Sequence, residues 1–171
     1  GRAPAMLIKN MLPAYFTALG TMSSAATIPV ALQASKNNGV SDGIANFTVP
    51  LCATIHLCGS TITLVTCATA VMFLSEHLAI PGYGTMLPFI MMLGVIMIAA
   101  PGAPGGGVMS ALGLLTSMLG FGEASIALMI ALYLAQDSFG TACNVTGDGV
   151  IALWADRFAQ GEETLAAPER D

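Results

Sequence analysis

The chain has 171 residues, of which 55% are hydrophobic and only 9% charged, with a formal net charge of −5. Soluble domains carry roughly 25% charged residues, so an ordinary water-soluble globule is excluded, and nothing in the charge pattern points to nucleic acid. From Gly43 to Gln136 the only Asp, Glu, Lys or Arg residues are Glu76 and Glu123.

This is the composition of an integral membrane protein, and of the helical kind. Barrel strands alternate apolar and polar residues, and these runs do not. The chain opens on Gly1 and enters apolar sequence at once, without a signal peptide. It is expected to be the later part of a longer protein.

The apolar runs have unequal lengths. Residues 11–22 are too short to cross the ~30 Å hydrocarbon core, which takes about 20 helical residues. They end at Thr21-Met22-Ser23-Ser24 and a second short run, 25–34, follows. This predicts a re-entrant helical hairpin over about 5–35. At its tip, backbone N–H groups at a half-helix start can hold a carboxylate; simple helix capping by serine is the other reading.

A polar loop, QASKNNGVSDG, leads into a spanning segment, 43–76, interrupted at His56-Leu57-Cys58-Gly59-Ser60-Thr61. His56 lies mid-span. It is either a hydrogen-bonded packing residue or a group for solute contact or proton coupling. After EHLAIPGYG, a second hairpin is predicted over about 84–119. Its tip is Pro101-Gly102-Ala103-Pro104-Gly105-Gly106-Gly107, which has more glycine than a tight turn needs, so it reads as a gate.

The last segment, 123–158, is predicted to be a helix that breaks near Asn144–Gly147, followed by a polar tail, 159–171. At roughly 100° per residue, Thr141, Asn144 and Asp148 fall within about 40° of Asp137. A carboxylate at membrane depth is costly and faces a partner, an ion or a cavity. Asp137 has no basic neighbour in sequence and suits a solute ammonium or a proton. Asp148, beside carbonyls freed by the predicted break, suits a hard cation such as Na⁺.

The order is hairpin, broken helix, hairpin, broken helix. Paired interrupted segments at corresponding positions point to a transporter with its site at the midplane. The fold class is therefore an all-α membrane protein, with two re-entrant hairpins and two broken transmembrane helices in an inverted repeat. Arg2, Lys9, Lys36 and Arg157 fall on one side, which places that side and the C-terminus in the cytoplasm. The four cysteines sit in apolar runs without C-x-x-C spacing and read as buried, inert thiols.

Enzyme readings fail on geometry. An aspartyl protease needs two carboxylates sharing a proton, whereas Asp137 and Asp148 would lie roughly 16 Å apart on a straight helix. Ser24, His56 and Asp137 supply triad residue types without nucleophile-elbow spacing.

At these residues the chain resembles the dicarboxylate/amino acid:cation symporters, the glutamate-transporter-like family. The likeness runs from about Met11 to Phe158. It is carried by the serine tip with T-I-P-V, by S-D-G-I-x-x-F-T-V-P-L, by P-G-A-P-G-G-G and by D-x-x-x-T-x-x-N-V-T-G-D. The resemblance implies the mobile transport domain (residues 1–158) of a plasma-membrane secondary symporter. The scaffold helices are mostly absent from it, and the full-length protein would be a homotrimer. It implies that Asp137 binds a substrate amino group, that Asn144 and the Ser23–Ser24 tip hold its carboxylate, and that Thr141 and Gly105 line the pocket. Asp148, Asn144 and the backbone near Cys52 and His56 would form a Na⁺ site, with Na⁺ or H⁺ as coupling ion and no organic cofactor.

Two departures stand out. The family's N-M-D-G-T break is His56-Leu57-Cys58-Gly59-Ser60 here, which removes one sodium site. The arginine that pairs with an acidic substrate is Gly140, and Met22 occupies the alternative arginine position at the first tip. A small amino acid or dicarboxylate-like solute other than glutamate or aspartate, taken up by alternating access, is expected. A receptor or structural protein that kept the fold without the coupling is the alternative.

Overall fold

The computed structural model describes residues 3–166, and among them it holds only helices. The first, α1 (Pro4–Thr21), starts with Pro4 at a position whose missing N–H needs no partner. It ends at Met22, which adopts a left-handed conformation (φ 51°) and closes on the Ala18 carbonyl at 2.9 Å. Ser23 is extended and its Oγ accepts the Ala26 N–H at 3.2 Å, which starts α2 (Ser24–Asn37). Met22 and Ser23 thus reverse the chain, and α1 packs against α2 as a hairpin.

The interrupted span appears where the sequence places it. Helices α3 (Asp42–Ile55) and α4 (Cys58–Leu74) are separated by His56 (φ −107°, ψ 84°) and Leu57 (φ −110°, ψ 46°). The second hairpin pairs α5 (Tyr83–Ile98) with α6 (Gly106–Leu119). Its loop ends at Gly105 (φ +72°), a conformation that glycine adopts without a Cβ penalty.

The last helix corrects an expectation. Instead of breaking near Asn144–Gly147, α7 (Glu123–Ala166) runs unbroken through both glycines of the motif. A helical glycine costs about 1 kcal/mol relative to alanine, which tertiary contacts offset here. A Cβ on Gly147 would lie 2.5 Å from His56 Cε1, and one on Gly149 would lie 2.7 Å from Met11 Sδ. The glycines admit neighbouring side chains rather than bend the chain. Arg2 and the tail beyond residue 166 lie outside the described residues.

Two hydrophobic cores divide the bundle. One joins α4, α5, α6 and the first half of α7, through Leu64, Val71, Phe89, Leu115 and Met129. The other joins α1, α2, α3 and the second half of α7, through Met11, Ala18, Ala31, Val49 and Val145. Only α7 contributes to both in its own length, so the seam between the cores crosses the middle of α7. Asp137 and Thr141 sit at that seam.

Two stretches are long and apolar enough to cross a bilayer: Asp42–Leu74, with mean hydropathy 1.9, and Glu123–Gln160, with 1.4. Large apolar side chains such as Phe47, Phe73, Phe139 and Trp154 face outward, as a lipid or protein surround requires. Cys52 and Cys67 are buried, but Cys58 is half-buried and Cys143 is exposed, which corrects the expectation of four buried thiols.

Candidate functional site

Both hairpin tips arrive at the seam from opposite halves and touch there. Ser23 Oγ donates to the Gly102 carbonyl at 2.7 Å, and the Ala25 N–H donates to the same oxygen at 3.3 Å. Ser24, the first residue of α2, is buried against this junction. The start of α2 therefore offers its orphan donors to an acceptor from outside, as a helix N-terminus does. In this arrangement the acceptor is the loop of the second hairpin.

Across the junction, α7 supplies the predicted polar stripe. Asp137, Thr141, Asn144 and Asp148 are all buried, with Asp148 and Asn144 at 1% exposure. Asp137 Oδ2 accepts the Gly105 N–H at 2.7 Å. The Tyr133 and Thr141 side chains line the same cavity as this carboxylate. Among the described residues no cation pairs with it, although a buried carboxylate ordinarily has one.

These groups enclose a cavity of about 10 Å³, which has room for about one water. Its walls include Met22, Ser24, Ser60, Gly102, Tyr133 and Asp137, and among the described residues no Lys or Arg reaches it.

Asn144 also holds a neighbouring helix. Its Oδ1 accepts the N–H groups of Gly59 (2.8 Å) and Ser60 (3.3 Å), and its Nδ2 donates to Ser60 Oγ at 2.8 Å. It caps α4 from a neighbouring helix and satisfies donors that the break at His56–Leu57 leaves open. One Nδ2 hydrogen remains for a ligand.

Asp148 meets His56. The imidazole Nδ1 lies 2.8 Å from Asp148 Oδ1, and Gly147 leaves space for the ring. An ionised carboxylate only accepts, so the imidazole N–H donates. Of the four groups expected to hold a cation, Asp148 keeps Oδ2 and His56 brings a carbonyl at the end of α3. The Cys52 carbonyl already accepts the His56 N–H at 2.8 Å, and Asn144 Oδ1 is occupied with α4. The oxygen set fits a small hard cation in part, with an imidazole standing where a further ligand would be.

Gly140 does not point into open space. A Cβ there would meet Thr63 Oγ1 at 3.0 Å and the Ser60 backbone at 3.3 Å, and a Cβ on Gly59 would meet the Gly140 carbonyl at 2.3 Å. Helix α4 is packed into the place where the family's arginine would begin. Two cavity residues escaped the sequence reading. Tyr133 lies one turn before Asp137 on the same face but reads as an apolar core aromatic, and Ser60 lies inside the break motif.

Comparison with known proteins shows the family. A family model described as "Sodium:dicarboxylate symporter family" matches residues 1–158. The chain is 28% identical over 176 residues to an excitatory amino acid transporter of Caenorhabditis elegans, covering 98% of this chain and 34% of that protein. It is 33% identical to excitatory amino acid transporter 1 of Rattus norvegicus, covering 93% of this chain and 29% of the relative. With excitatory amino acid transporter 5 of Homo sapiens the identity is 31%, over 87% of this chain and 26% of the relative. The chain spans about a third of the length of these relatives.

Proposed function

The chain belongs to the sodium:dicarboxylate symporter family, and on that basis we propose that it is the solute-binding part of a cation-coupled symporter for a small amino acid, not glutamate or aspartate. The family transports solutes and is not one of enzymes, so the protease and triad readings fall away.

One observation carries the reading. The closed loop of the second hairpin presents an N–H (Gly105) to Asp137, and a carbonyl (Gly102) to Ser23 and Ala25. These are the polarities of an amino acid's ammonium and carboxylate. The loop occupies the partners that a zwitterion would take. Each hydrogen bond is worth about 0.5–1.5 kcal/mol net, so opening it costs roughly 2–4 kcal/mol for the set of contacts at Gly102 and Gly105. A solute that supplies the same donors and acceptors offsets that cost.

Roles follow from this placement. Asp137 receives the ammonium, with Thr141 beside it. The Ser23–Ser24 tip and the free hydrogen of Asn144 receive the carboxylate. Gly105 and its neighbours form the gate. Among the described residues no guanidinium faces the cavity, and the Gly59–Gly140 crossing leaves no room for one on α7, which supports a solute without a second carboxylate. Asp148 Oδ2 and the carbonyls at the end of α3 form the cation site, with His56 as a candidate for proton coupling.

The two cores, each built from a hairpin, half of the broken span and half of α7, support an inverted repeat with re-entrant tips. Alternating access then moves this unit against scaffold helices, in a multi-pass plasma-membrane homotrimer with a cytoplasmic C-terminus. The test is uptake by the full-length protein in proteoliposomes. A neutral amino acid should accumulate when a Na⁺ or H⁺ gradient is imposed. Failure for every amino acid and dicarboxylate under both gradients would favour a receptor or structural role.

A further inference from the structure

A second cavity, of about 500 Å³, lies away from the hairpin tips, between α1 and the last part of α7. That is the size of a small-molecule site, and it shares no wall residue with the cavity at Asp137. The two helices touch at Gly149, where a Cβ would lie 2.7 Å from Met11 Sδ. The groove extends beside that contact toward Pro4 at the start of α1 and Gln160 near the end of α7.

Its sides are apolar, with Ile8 on α1 facing Val150 and Leu153 on α7. Polar groups along it already hold protein partners. Thr146 Oγ1 donates to the Ala142 carbonyl at 2.8 Å, and Asn38 Nδ2 donates to the Leu7 carbonyl at 3.1 Å. Asp156 Oδ1 accepts the Ser41 N–H at 3.0 Å and Oδ2 accepts Gln160 Nε2 at 2.7 Å, so both carboxylate oxygens are engaged. Arg157 differs. It is exposed at this end of the groove, and among the described residues no carboxylate pairs with it. From Thr146 to Arg157 the helix rises about 16 Å, close to the ~15 Å of hydrocarbon in one leaflet. Trp154, one turn before Arg157, is 67% exposed and also borders the groove, as an interfacial aromatic would.

The occupant that fits is apolar along one leaflet's depth and negative at its end. A guanidinium takes a phosphate with two parallel hydrogen bonds, and basic groups beside a bilayer draw anionic headgroups. We propose that this groove binds one anionic phospholipid, with an acyl chain between α1 and α7 and the phosphate on Arg157. The site depends on the chain's place in a membrane and not on what it transports.

The experiment uses the full-length protein in detergent, with phosphatidylglycerol and phosphatidylcholine of identical acyl chains as probes and native mass spectrometry to count the lipid retained. Phosphatidylglycerol should bind about fivefold tighter, the effect of one basic side chain on one net negative charge. Arg157→Gln should remove that difference, and Arg157→Lys should keep most of it. Val150→Trp, which fills the apolar slot, should lower retention of both lipids. Glycerol phosphate, the same anion without acyl chains, should not displace the lipid. A photoactivated diazirine in the acyl chain should label peptides covering 4–11 and 146–157. Equal affinity for the two lipids, or a preference unchanged in Arg157→Gln, overturns the assignment. So does displacement by glycerol phosphate, which would make this a site for a free phosphate. Labelling that avoids both peptides overturns it as well, since another segment of protein would then fill the groove.

Discussion

His56 Nδ1 lies 2.8 Å from Asp148 Oδ1, joining the break between α3 and α4 to the middle of α7. The carboxylate is at 1% exposure and the imidazole is its only ion-pairing partner among the described residues. A buried carboxylate attracts a cation strongly, and here the imidazole takes one of its two oxygens. In the cation site proposed above, the ring and a small cation would compete for the same group.

Opposite effects are expected from the two partners. Asp148→Asn removes the charge, and the cation concentration for half-maximal uptake should rise about tenfold or more. His56→Asn releases Oδ1 and adds an amide oxygen, so the same concentration should fall. Uptake measured across a sodium series in the full-length protein checks both. A cation response unchanged in Asp148→Asn would remove Asp148 from the cation site.

The glycines of the bundle separate by what surrounds them. Gly59→Ala places a methyl 2.3 Å from the Gly140 carbonyl, where backbone must shift. Such overpacking costs about 1–3 kcal/mol. Gly113 lies within α6 and a Cβ there meets nothing within 4 Å. Gly113→Ala should stabilise by about 0.4–1 kcal/mol. Thermal unfolding of the two variants in detergent should move the midpoint down for Gly59→Ala and up for Gly113→Ala.

Contact between the hairpin tips is open to a chemical test. A Cβ on Gly102 would lie 3.7 Å from Ser24 Cβ, and disulfides span about 3.5–4.5 Å between Cβ atoms. The pair Ser24→Cys and Gly102→Cys should oxidise to a bridge that stops uptake, with recovery after reduction. Free thiols after oxidation would mean that the tips do not meet. The single variants control for Cys52, Cys58, Cys67 and Cys143.

Much of this site is visible in the sequence because helical periodicity acts on one element at a time. The stripe Asp137–Thr141–Asn144–Asp148 follows from spacing alone, and all of it is buried on one helix. The interruption at His56–Leu57 follows from polar and glycine residues in an apolar span. The predicted break in α7 does not occur, for a tertiary reason. Gly147 is there to admit the His56 ring, a contact 91 positions away that local sequence cannot reveal. Tyr133 reads as core because an aromatic in an apolar run ordinarily is, although it lies one turn from Asp137. The hold of Asn144 on α4 is hidden from local sequence, because the side chain and the helix it caps lie in different segments.

The central claim is that Asp137 exchanges the Gly105 N–H for a solute ammonium. Uptake of a labelled neutral amino acid by full-length protein carrying Asp137→Asn tests it most directly, since the variant keeps the shape and an acceptor for Gly105 while removing the charge. The account predicts a loss of at least about 100-fold in uptake efficiency, as for the removal of a buried charge partner, with folding shown by an unfolding midpoint close to that of the unmodified protein. Uptake by Asp137→Asn equal to that of the unmodified protein would contradict it.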